Sequence, residues 1–373
     1  MGYELHPTIN SIMGLVGLKQ LSAYAKRMLE QIPEKYRPLA EIMIRQKYHF
    51  VGRHTVVKKC YWTHTAVVER RFCYKCKFYG IESHRDIQMS PAAFWCWNAC
   101  LHCWRIRPQD LGIDADETRM PFYDPPELIL DGIIEAHRKI MSGYYGHPKA
   151  DPRLVEEAMD PKHVTMSLTG EPTLYPLLGD LIELIHKRGM TTFLVTRGVR
   201  PDVLAGLSEE PTQLYISLEA WDKKSYNYFN RPLVPRAWEL TLETLEMLSS
   251  FSSPTVIRIT LVKGFNDTEE ALDGFARLVR LANPTYVEVK AYMWVGASRE
   301  RLTRLNMPPH EEVRSFARRL AEKTGYEVYG ESVPSRVVLL TSIGEPLRVG
   351  KGCPGGRDVL DSGPGEYEEE DAY

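Results

Sequence analysis

Three cysteines stand close together in the stretch FWCWNACLHCWR, where Cys96, Cys100 and Cys103 follow the spacing Cys-x3-Cys-x2-Cys. Clustered thiolates bind zinc or iron–sulfur clusters. A closed structural zinc site needs a fourth protein ligand, and His102 is poorly placed for that role because it lies between two of the cysteines. A [4Fe–4S] cubane takes one cysteine per iron, so three cysteines leave one iron free for another molecule. The spacing therefore favours a cubane with one open coordination position.

A second set of three cysteines lies upstream, where Cys60, Cys73 and Cys76 have the spacing Cys-x12-Cys-x2-Cys. Two interpretations remain open for this set. Together with His64 it would form a zinc site of the Cys3His type, or it would hold a second [4Fe–4S] cluster whose open iron binds a second reactant. The seventh cysteine, Cys353, lies alone in KGCPGG and is expected to be an incidental thiol in a turn.

The composition is that of an ordinary globular protein, with 373 residues and a formal net charge of −2. Chains of this length bury a large core in one or two domains. No segment approaches the roughly 20 consecutive apolar residues of a membrane span. The N-terminus lacks the basic and apolar regions of a signal peptide. The sequence therefore predicts a cytoplasmic protein with no membrane partner.

Charge is unevenly distributed along the chain. The segment from Arg45 to Lys77 is rich in Lys and Arg and contains the single acid Glu69. Aromatic side chains are interleaved with these cations, namely Tyr48, Phe50, Tyr61, Trp62, Phe72, Tyr74, Phe78 and Tyr79. This mixture is typical of surfaces that neutralise phosphates and stack on splayed RNA bases. The alternative is a solvated basic face above ordinary core aromatics.

The elements that must position these residues are short apolar runs that alternate with helical patterns from about residue 84 onward. The predicted strands are 88–94, 163–168, 191–196, 213–218, 255–262 and 285–292. Repeated strand–helix units predict an α/β fold with parallel strands and right-handed crossovers. The first cysteine triplet then falls in the first strand–helix loop, at the carboxyl end of the sheet where such folds carry active sites. Periodicity does not separate a partial (β/α)6 barrel of the TIM type from an open sheet.

Three regions follow from this pattern. Residues 1–83 form an N-terminal extension with an amphipathic helix at 18–32, the second cysteine set and the basic segment. Residues 84–345 form the core, to which a further strand near 335–341 is added. Residues 346–373 form a tail that ends in EYEEEDAY, which is predicted to be disordered because it is acidic and nearly devoid of apolar residues.

One predicted strand suggests a polar interior. In TYVEVKAY, the apolar residues Val287, Val289 and Ala291 alternate with Glu288 and Lys290. Successive side chains of a strand point to opposite faces. In a barrel wrapped by helices the polar set would face the lumen, whereas in an edge strand it would face water.

The cysteine loop and its position resemble the radical S-adenosylmethionine family. In that family a Cys-x3-Cys-x2-Cys loop after the first strand of a partial (β/α)6 barrel holds a [4Fe–4S] cluster. The resemblance implies that Cys96, Cys100 and Cys103 bind this cluster. It also implies that the open iron chelates the amino and carboxylate groups of S-adenosylmethionine.

Later strand ends carry further motifs that resemble this family. TGEP at 169–172 is similar to Gly-Gly-Glu-Pro, which implies that Gly170 and Glu171 orient an amino group through a carboxylate–ammonium pair. SLEA and GFND are similar to the fourth-strand and fifth-strand elements. They imply that Ser217 contacts the methionine carboxylate or the ribose and that Asn266 contacts the ribose, although both residue types also serve as ordinary strand-end hydrogen bonders. LVTRGV departs from the third-strand element because Arg197 replaces Asn, so no ligand is assigned there.

The whole pattern resembles one subfamily, the tRNA 4-demethylwyosine synthases, from about residue 49 to residue 340. The supporting features are the second cysteine set, CYKC with Lys75, the Trp104-Arg105 pair after the cysteine loop, VEVKAYMWVG and SRVVLL. The chain is similar to the archaeal form, which lacks the flavodoxin-like domain of eukaryotic members. This implies a separate electron donor of the flavodoxin or ferredoxin type.

The resemblance implies a reaction on N1-methylguanosine at position 37 of phenylalanine tRNA. With pyruvate and S-adenosylmethionine, a radical carbon–carbon bond formation yields 4-demethylwyosine, and two [4Fe–4S] clusters take part. Lys75 is the expected catalytic residue because a lysine Schiff base activates a ketone, and Lys290 is its rival. The alternatives are radical chemistry on another substrate and a zinc-dependent RNA-binding protein without catalysis.

Overall fold

The computed structural model describes residues 21–353. Within that range the strands are β1 (His49–Val51), β2 (Thr55–Val57), β3 (Asp86–Ser90), β4 (His163–Met166), β5 (Thr191–Thr196), β6 (Gln213–Leu218), β7 (Thr255–Leu261), β8 (Tyr286–Ala291), β9 (Glu327–Ser332) and β10 (Val337–Thr341). The helices are α1 (Ala23–Gln31), α2 (Arg37–Arg45), α3 (Tyr61–Glu69), α4 (Tyr74–Tyr79), α5 (Pro126–Ser142), α6 (Pro152–Ala158), α7 (Leu178–Lys187), α8 (Pro201–Ala205), α9 (Lys223–Asn230), α10 (Ala237–Met247), α11 (Glu269–Ala282) and α12 (His310–Thr324).

All ten strands join in one mixed sheet with the order β1-β2-β3-β4-β5-β6-β7-β8-β10-β9. The six central strands, β3 to β8, are parallel. The predicted succession of six strand–helix units is therefore confirmed. The sheet described for residues 21–353 is open, since its order ends at β1 and β9 without a pairing between them.

Several boundaries differ from the sequence prediction. The first parallel strand begins at Asp86 and ends at Ser90, so residues 91–94 belong to the loop that follows it. The antiparallel strands β1, β2 and β9 were not predicted. Strands of three residues such as β1 and β2 are too short to show a period, and β9 is only partly buried and carries Gly330. The helix expected at 18–32 is observed over Ala23–Gln31, and residues 18–20 lie outside the described residues.

The helix α11 shows how local sequence sets these elements. The Thr268 hydroxyl accepts a hydrogen bond from the backbone N–H of Ala271 at 3.2 Å, which caps the helix start. Glu269 and Glu270 in the first turn interact favourably with the helix dipole. The helix ends at Ala282, and the Asn283 that follows adopts the left-handed conformation with φ of 42°.

The two faces of β8 pack against different parts of the chain. Val287 and Val289 belong to the main core together with Phe316 of α12. On the other face, the hydroxyls of Tyr74 and Tyr79 both donate to the Glu288 carboxylate at 2.9 Å. The expectation that the polar set faces inward is therefore confirmed. The N-terminal extension covers this inner face, and α4 supplies the covering side chains.

The aromatic residues of the basic segment serve the core. All of them except Tyr61, which is partly exposed, are buried. Several of the cations are also engaged within the protein, as in the ion pairs of Arg53 with Asp124 at 2.6 Å and of Arg71 with Glu69 at 2.6 Å. The expected platform of rings for stacking on RNA bases is thus not formed by these side chains. The alternative of core aromatics beneath a charged face fits the structure better.

Part of the predicted tail packs against the extension. The backbone N–H groups of Val349 and Gly352 donate to the carbonyls of Tyr79 and Gly80, each at 2.9 Å. Residues 354–373, with the acidic segment expected to be disordered, lie outside the described residues. No helix within residues 21–353 is long and apolar enough to cross a membrane.

Candidate active site

The cysteine loop lines a cavity of about 360 Å³ at the carboxyl ends of the parallel strands. Cys96, Cys100 and Cys103 all contribute to its wall. Burial raises the pKa of the Cys96 thiol to about 12, and it also raises the pKa of the Cys100 thiol. A metal ion displaces such protons when it binds, because only the thiolate is a ligand. The three predicted ligands are therefore brought together around one cavity.

A buried ion pair holds this loop in place. Arg105 donates to the Glu117 carboxylate at 2.6 Å, and both side chains are almost fully buried. The backbone carbonyl of Glu117 accepts from the N–H of Cys96 at 2.9 Å, which ties the pair directly to a predicted ligand. Arg301 adds donors to the carbonyls of Leu101 and Cys103. No sequence motif indicates these contacts, because Glu117 and Arg301 lie outside the motifs described above.

The loop after β4 brings Gly170 and Glu171 to the same cavity. Gly170 has φ of +68°, and a Cβ at this position would lie 1.9 Å from the carbonyl oxygen of Ala92. Only glycine fits this close approach between the two loops. The backbone N–H of Glu171 then donates to the carbonyl of Trp95 at 2.9 Å, which fastens the loops together.

The Glu171 carboxylate is buried and surrounded by donors. It accepts from the hydroxyls of Thr196 at 2.7 Å and Thr173 at 2.8 Å, and from the backbone N–H of Arg197 at 3.1 Å. Burial raises the pKa of Glu171, and these hydrogen bonds oppose that rise. The carboxylate is thus held in one orientation at the cavity wall.

Arg197, to which the sequence motifs assign no role, lies beside the cysteines. Arg197 forms an ion pair with Glu219 and donates to Nε2 of His102 at 2.9 Å. Because a guanidinium has no acceptor, Nε2 must be the unprotonated nitrogen of His102. Burial and the neighbouring Arg197 hold the pKa of His102 well below its usual value, in keeping with a neutral ring. The Arg that replaces Asn in the third-strand motif therefore does reach the cavity.

The two remaining predicted cofactor contacts differ in their placement. Ser217 lines the cavity at the end of β6, as expected. Asn266 is fully buried and is not among the residues that line the cavity. Its amide donates to the carbonyls of Glu219 and Thr260, each at 3.0 Å, and its oxygen accepts from the N–H of Val262 at 2.7 Å. The structure thus shows Asn266 as a strand-end hydrogen bonder.

A second cavity of about 240 Å³ adjoins the first. Cys60, Cys73 and Lys75 line it, and Asp86 at the start of β3 lies in the same wall. Burial raises the pKa of the Cys73 thiol to about 12, and the charge of Cys60 adds to that rise. The two cysteines of the extension are therefore close enough to influence each other across this cavity.

Cys76 is not placed with Cys60 and Cys73, contrary to the sequence expectation. It is fully buried in an apolar cluster with Phe72 and Tyr144, and its sulfur forms a disulfide with Cys353. Cys353 is thus not an incidental thiol. This disulfide joins residues that are 277 positions apart in the sequence. It forms because the chain after β10 returns to α4, and cysteine spacing alone does not reveal that path.

The zinc alternative for this region is not supported within the described chain. Nδ1 of His64 lies 2.8 Å from the hydroxyl of Tyr144, and Cys76 is engaged with Cys353. Within residues 21–353 no group of three His, Cys, Asp or Glu side chains is close enough to hold one metal ion. In a cubane each ligand binds its own iron, so its ligands need not converge on one point. The three cysteines of the first cavity therefore fit a cluster better than a single ion.

The two candidate lysines have different environments. Lys75 is 8% exposed, and its ammonium lies 5.2 Å from the ring centres of both Phe193 and Tyr215. Burial lowers the pKa of Lys75, and the nearby Arg258 lowers it further. Lys290 lines both cavities and donates to the carbonyl of Ser335 at 2.6 Å, and burial lowers its pKa to about 8. Both amines are thus shifted toward the neutral, nucleophilic form.

Comparison with known proteins agrees with this geometry. The sequence profile of the radical SAM superfamily matches residues 91–276, and the profile for wyosine base formation matches residues 281–342. An S-adenosyl-L-methionine-dependent tRNA 4-demethylwyosine synthase of Pyrococcus abyssi is 46% identical over 312 residues, which cover 83% of this chain and 90% of that relative. The corresponding protein of Methanocaldococcus jannaschii is 41% identical, with 83% and 96% covered.

Solved structures show the same likeness. A structure of TYW1 with a lysine-pyruvate adduct bound is 38% identical, with a TM-score of 0.75 over 85% of this chain and 100% of that chain. A crystal structure of archaeal TYW1 is 35% identical, with a TM-score of 0.68 over 85% and 98%. Membership of the radical SAM superfamily implies a [4Fe–4S] cluster and S-adenosylmethionine, in agreement with the cysteine loop. The chain therefore belongs to the S-adenosyl-L-methionine-dependent tRNA 4-demethylwyosine synthases, a family of radical SAM enzymes.

Proposed function

We propose that this chain converts N1-methylguanosine at position 37 of phenylalanine tRNA into 4-demethylwyosine, with pyruvate and S-adenosylmethionine as co-substrates. The observation that carries the proposal is the common wall of the two cavities. It is formed by Gln88, Trp104, Ser167, Arg258, Lys290 and Met293. A reaction that joins the N-methyl carbon of one reactant to pyruvate needs both reactants held within contact distance. Adjacent cavities, one with the cysteine loop and one with Lys75, meet that need.

In the first cavity, Cys96, Cys100 and Cys103 would hold the [4Fe–4S] cluster. When bound, the cluster supplies the electron that cleaves S-adenosylmethionine to a 5′-deoxyadenosyl radical. Gly170, Glu171 and Ser217 form the wall where the methionine and ribose groups would bind. Gly170 and Glu171 would bind the cofactor, because they are fastened to the cysteine loop. Asn266 would instead stabilise the strand end through its hydrogen bonds.

In the second cavity, Lys75 would form a Schiff base with pyruvate. The neutral amine adds to the ketone carbon, and loss of one water leaves an imine that is more electrophilic than the ketone. Lys75 suits this step because its pKa is lowered by burial and because its side chain forms no ion pair among the described residues. Arg258 and Lys290 in the same wall would bind the pyruvate carboxylate. The lysine-pyruvate adduct named for the related TYW1 structure supports this assignment.

We further propose that the second cavity holds a second [4Fe–4S] cluster with Cys60 and Cys73 among its ligands, and that its open iron binds pyruvate. A separate protein of the flavodoxin or ferredoxin type would deliver the electron, because side chains alone do not supply one-electron reduction. Since the proposed substrate is a tRNA, the proposed location of the enzyme is the cytoplasm.

The reaction is tested with anaerobically reconstituted protein, tRNA that carries N1-methylguanosine, S-adenosylmethionine, dithionite and fully 13C-labelled pyruvate. Digestion of the tRNA and mass spectrometry of the nucleosides should reveal 4-demethylwyosine that contains labelled carbon. Cleavage of S-adenosylmethionine without any labelled nucleoside would refute the proposed substrates while leaving the radical chemistry intact.

The role of Lys75 is tested by borohydride reduction in the presence of pyruvate, followed by peptide mapping. We expect the reduced adduct on Lys75, its absence in Lys75→Ala and its persistence in Lys290→Ala. Lys77→Ala is a matched control, because Lys77 lies on the same helix and donates to the carbonyl of Glu331 at 3.0 Å. An adduct that persists in Lys75→Ala would contradict the assignment.

A further inference from the structure

The wall of the second cavity contains Cys60, Cys73 and Asp86, whose side chains can all ligate a metal. Cys60 and Cys73 provide sulfur, whereas Asp86 provides carboxylate oxygen. Cys76, the expected third ligand, is absent from this wall and lies in the apolar cluster beside Cys353. Asp86 lies near Cys60 and Lys75. Burial is the main cause of the raised pKa of Cys60 and of the lowered pKa of Lys75, and the Asp86 charge adds to the first shift and opposes the second.

The fold fixes the position of Asp86. It is the first residue of β3 and is paired in register with His163 of β4. Both of its carboxylate oxygens lie near the Thr165 hydroxyl, at 2.8 and 3.0 Å. A hydroxyl carries one proton, so it satisfies only one of the several acceptor sites of a carboxylate. The remaining lone pairs are available to the cavity.

The cations around Asp86 favour the binding of negatively charged groups in this cavity. The cations that line this cavity are Lys58, Lys59, Lys75, Arg258 and Lys290. Within residues 21–353, Asp86 forms no direct ion pair with any of them. A partly buried carboxylate normally gains such a partner or coordinates a metal. Two thiolates and one carboxylate in this wall would offset part of that positive charge.

We propose that Asp86 is the third protein ligand of the second cluster, which is then held by Cys60, Cys73 and Asp86. This inference rests on the second cluster proposed above and specifies its ligand set. Three ligands leave the fourth iron open for pyruvate next to Lys75. An oxygen ligand in place of a thiolate changes the reduction potential of a cluster and the charge at its iron. The cluster should therefore differ in its spectrum and stability from one with three cysteines.

The test isolates the second cluster in a background where Cys96, Cys100 and Cys103 are all replaced by Ala. After anaerobic reconstitution this triple variant should hold about four irons and four sulfides per chain, as one cubane requires. Asp86→Ala and Cys76→Ser are then added separately. We expect Asp86→Ala to lose most of this iron and Cys76→Ser to retain it. Far-ultraviolet circular dichroism and a melting curve verify that each variant is folded.

A further variant tests the ligand independently of stability. Asp86→Cys should retain about four irons and should shift the electron paramagnetic resonance spectrum of the reduced cluster, because a thiolate replaces the carboxylate. Full iron content in Asp86→Ala, or loss of iron in Cys76→Ser, would overturn the assignment of Asp86. Absence of iron from the triple variant itself would instead refute the second cluster, so the two failures are distinguishable.

Discussion

The close approach at Gly170 provides a quantitative test of how the cysteine loop is positioned. In Gly170→Ala the new Cβ would lie 1.9 Å from the Ala92 carbonyl oxygen and 2.8 Å from that of Trp95. The left-handed backbone costs a non-glycine residue roughly 1–2 kcal/mol. Overpacking against fixed neighbours adds typically about 1–3 kcal/mol. The free energy of unfolding should therefore fall by about 2–5 kcal/mol in total.

Gly189→Ala is the matched control. Gly189 has a similar φ of +74°, but a Cβ there would meet nothing within 4 Å. Gly189→Ala should lose stability through the left-handed backbone but not through steric overlap. The free energies of unfolding of the two variants should therefore differ by about 1–3 kcal/mol. Any change in the entropy of the unfolded chain is common to both and cancels.

The assay is anaerobic urea unfolding followed by intrinsic fluorescence, together with iron analysis after reconstitution. Because Ala92 and Trp95 belong to the loop that carries Cys96, Gly170→Ala should also lower iron content, whereas Gly189→Ala should not. Equal stability and equal iron content in the two variants would refute the argument that this contact positions the cysteine loop.

Three other predictions address charge. Breaking the buried pair with Arg105→Met or with Glu117→Leu should each cost about 3–5 kcal/mol of unfolding free energy. The double variant Arg105→Met/Glu117→Leu should recover much of that loss, and additive losses in urea unfolding would contradict the prediction. Burial lowers the pKa of Lys290 from its ordinary value of 10.5 to about 8 in the folded protein. Between these pH values the unfolded chain binds more protons, so the wild-type protein should gain stability relative to Lys290→Met as the pH rises, by at most about 3 kcal/mol. A flat difference between the two proteins from pH 7 to 11 would argue against the shift. Binding of the tRNA should weaken steeply with salt, with log K linear in log salt concentration; a filter-binding series with no slope would exclude the phosphate contacts.

The parts of the site that could be predicted are those encoded by neighbouring residues. The Cys-x3-Cys-x2-Cys spacing lies within one loop, so the three thiols are near one another in sequence and their proximity could be predicted. The six parallel strands were visible as short apolar runs, because strands that are covered on both faces are apolar along most of their length. The alternation in β8 likewise indicated that Glu288 and Lys290 share one face, and the structure shows that this face points inward.

The errors concern residues whose roles depend on distant partners. Asn266 matched a ribose-contact motif, yet its amide is used by backbone groups of the neighbouring strand ends. The aromatic residues of the basic segment were assigned partly to RNA, yet nearly all are buried in the apolar clusters of the protein. Arg197 was left without a role because it departs from a motif, although its side chain reaches His102 and Glu219.

The second cysteine set shows most clearly the difference between what local spacing predicts and what the tertiary structure decides. Local spacing grouped Cys76 with Cys60 and Cys73 because the three are near in sequence. The path of the backbone instead joins Cys76 to Cys353 and brings Asp86, the first residue of a parallel strand, to the cavity of Cys60 and Cys73. Spacing and periodicity report the geometry of one segment, so they identify the chemistry that the first loop carries. Which side chains meet across segments depends on how the extension folds over the sheet, and only the tertiary structure reveals it.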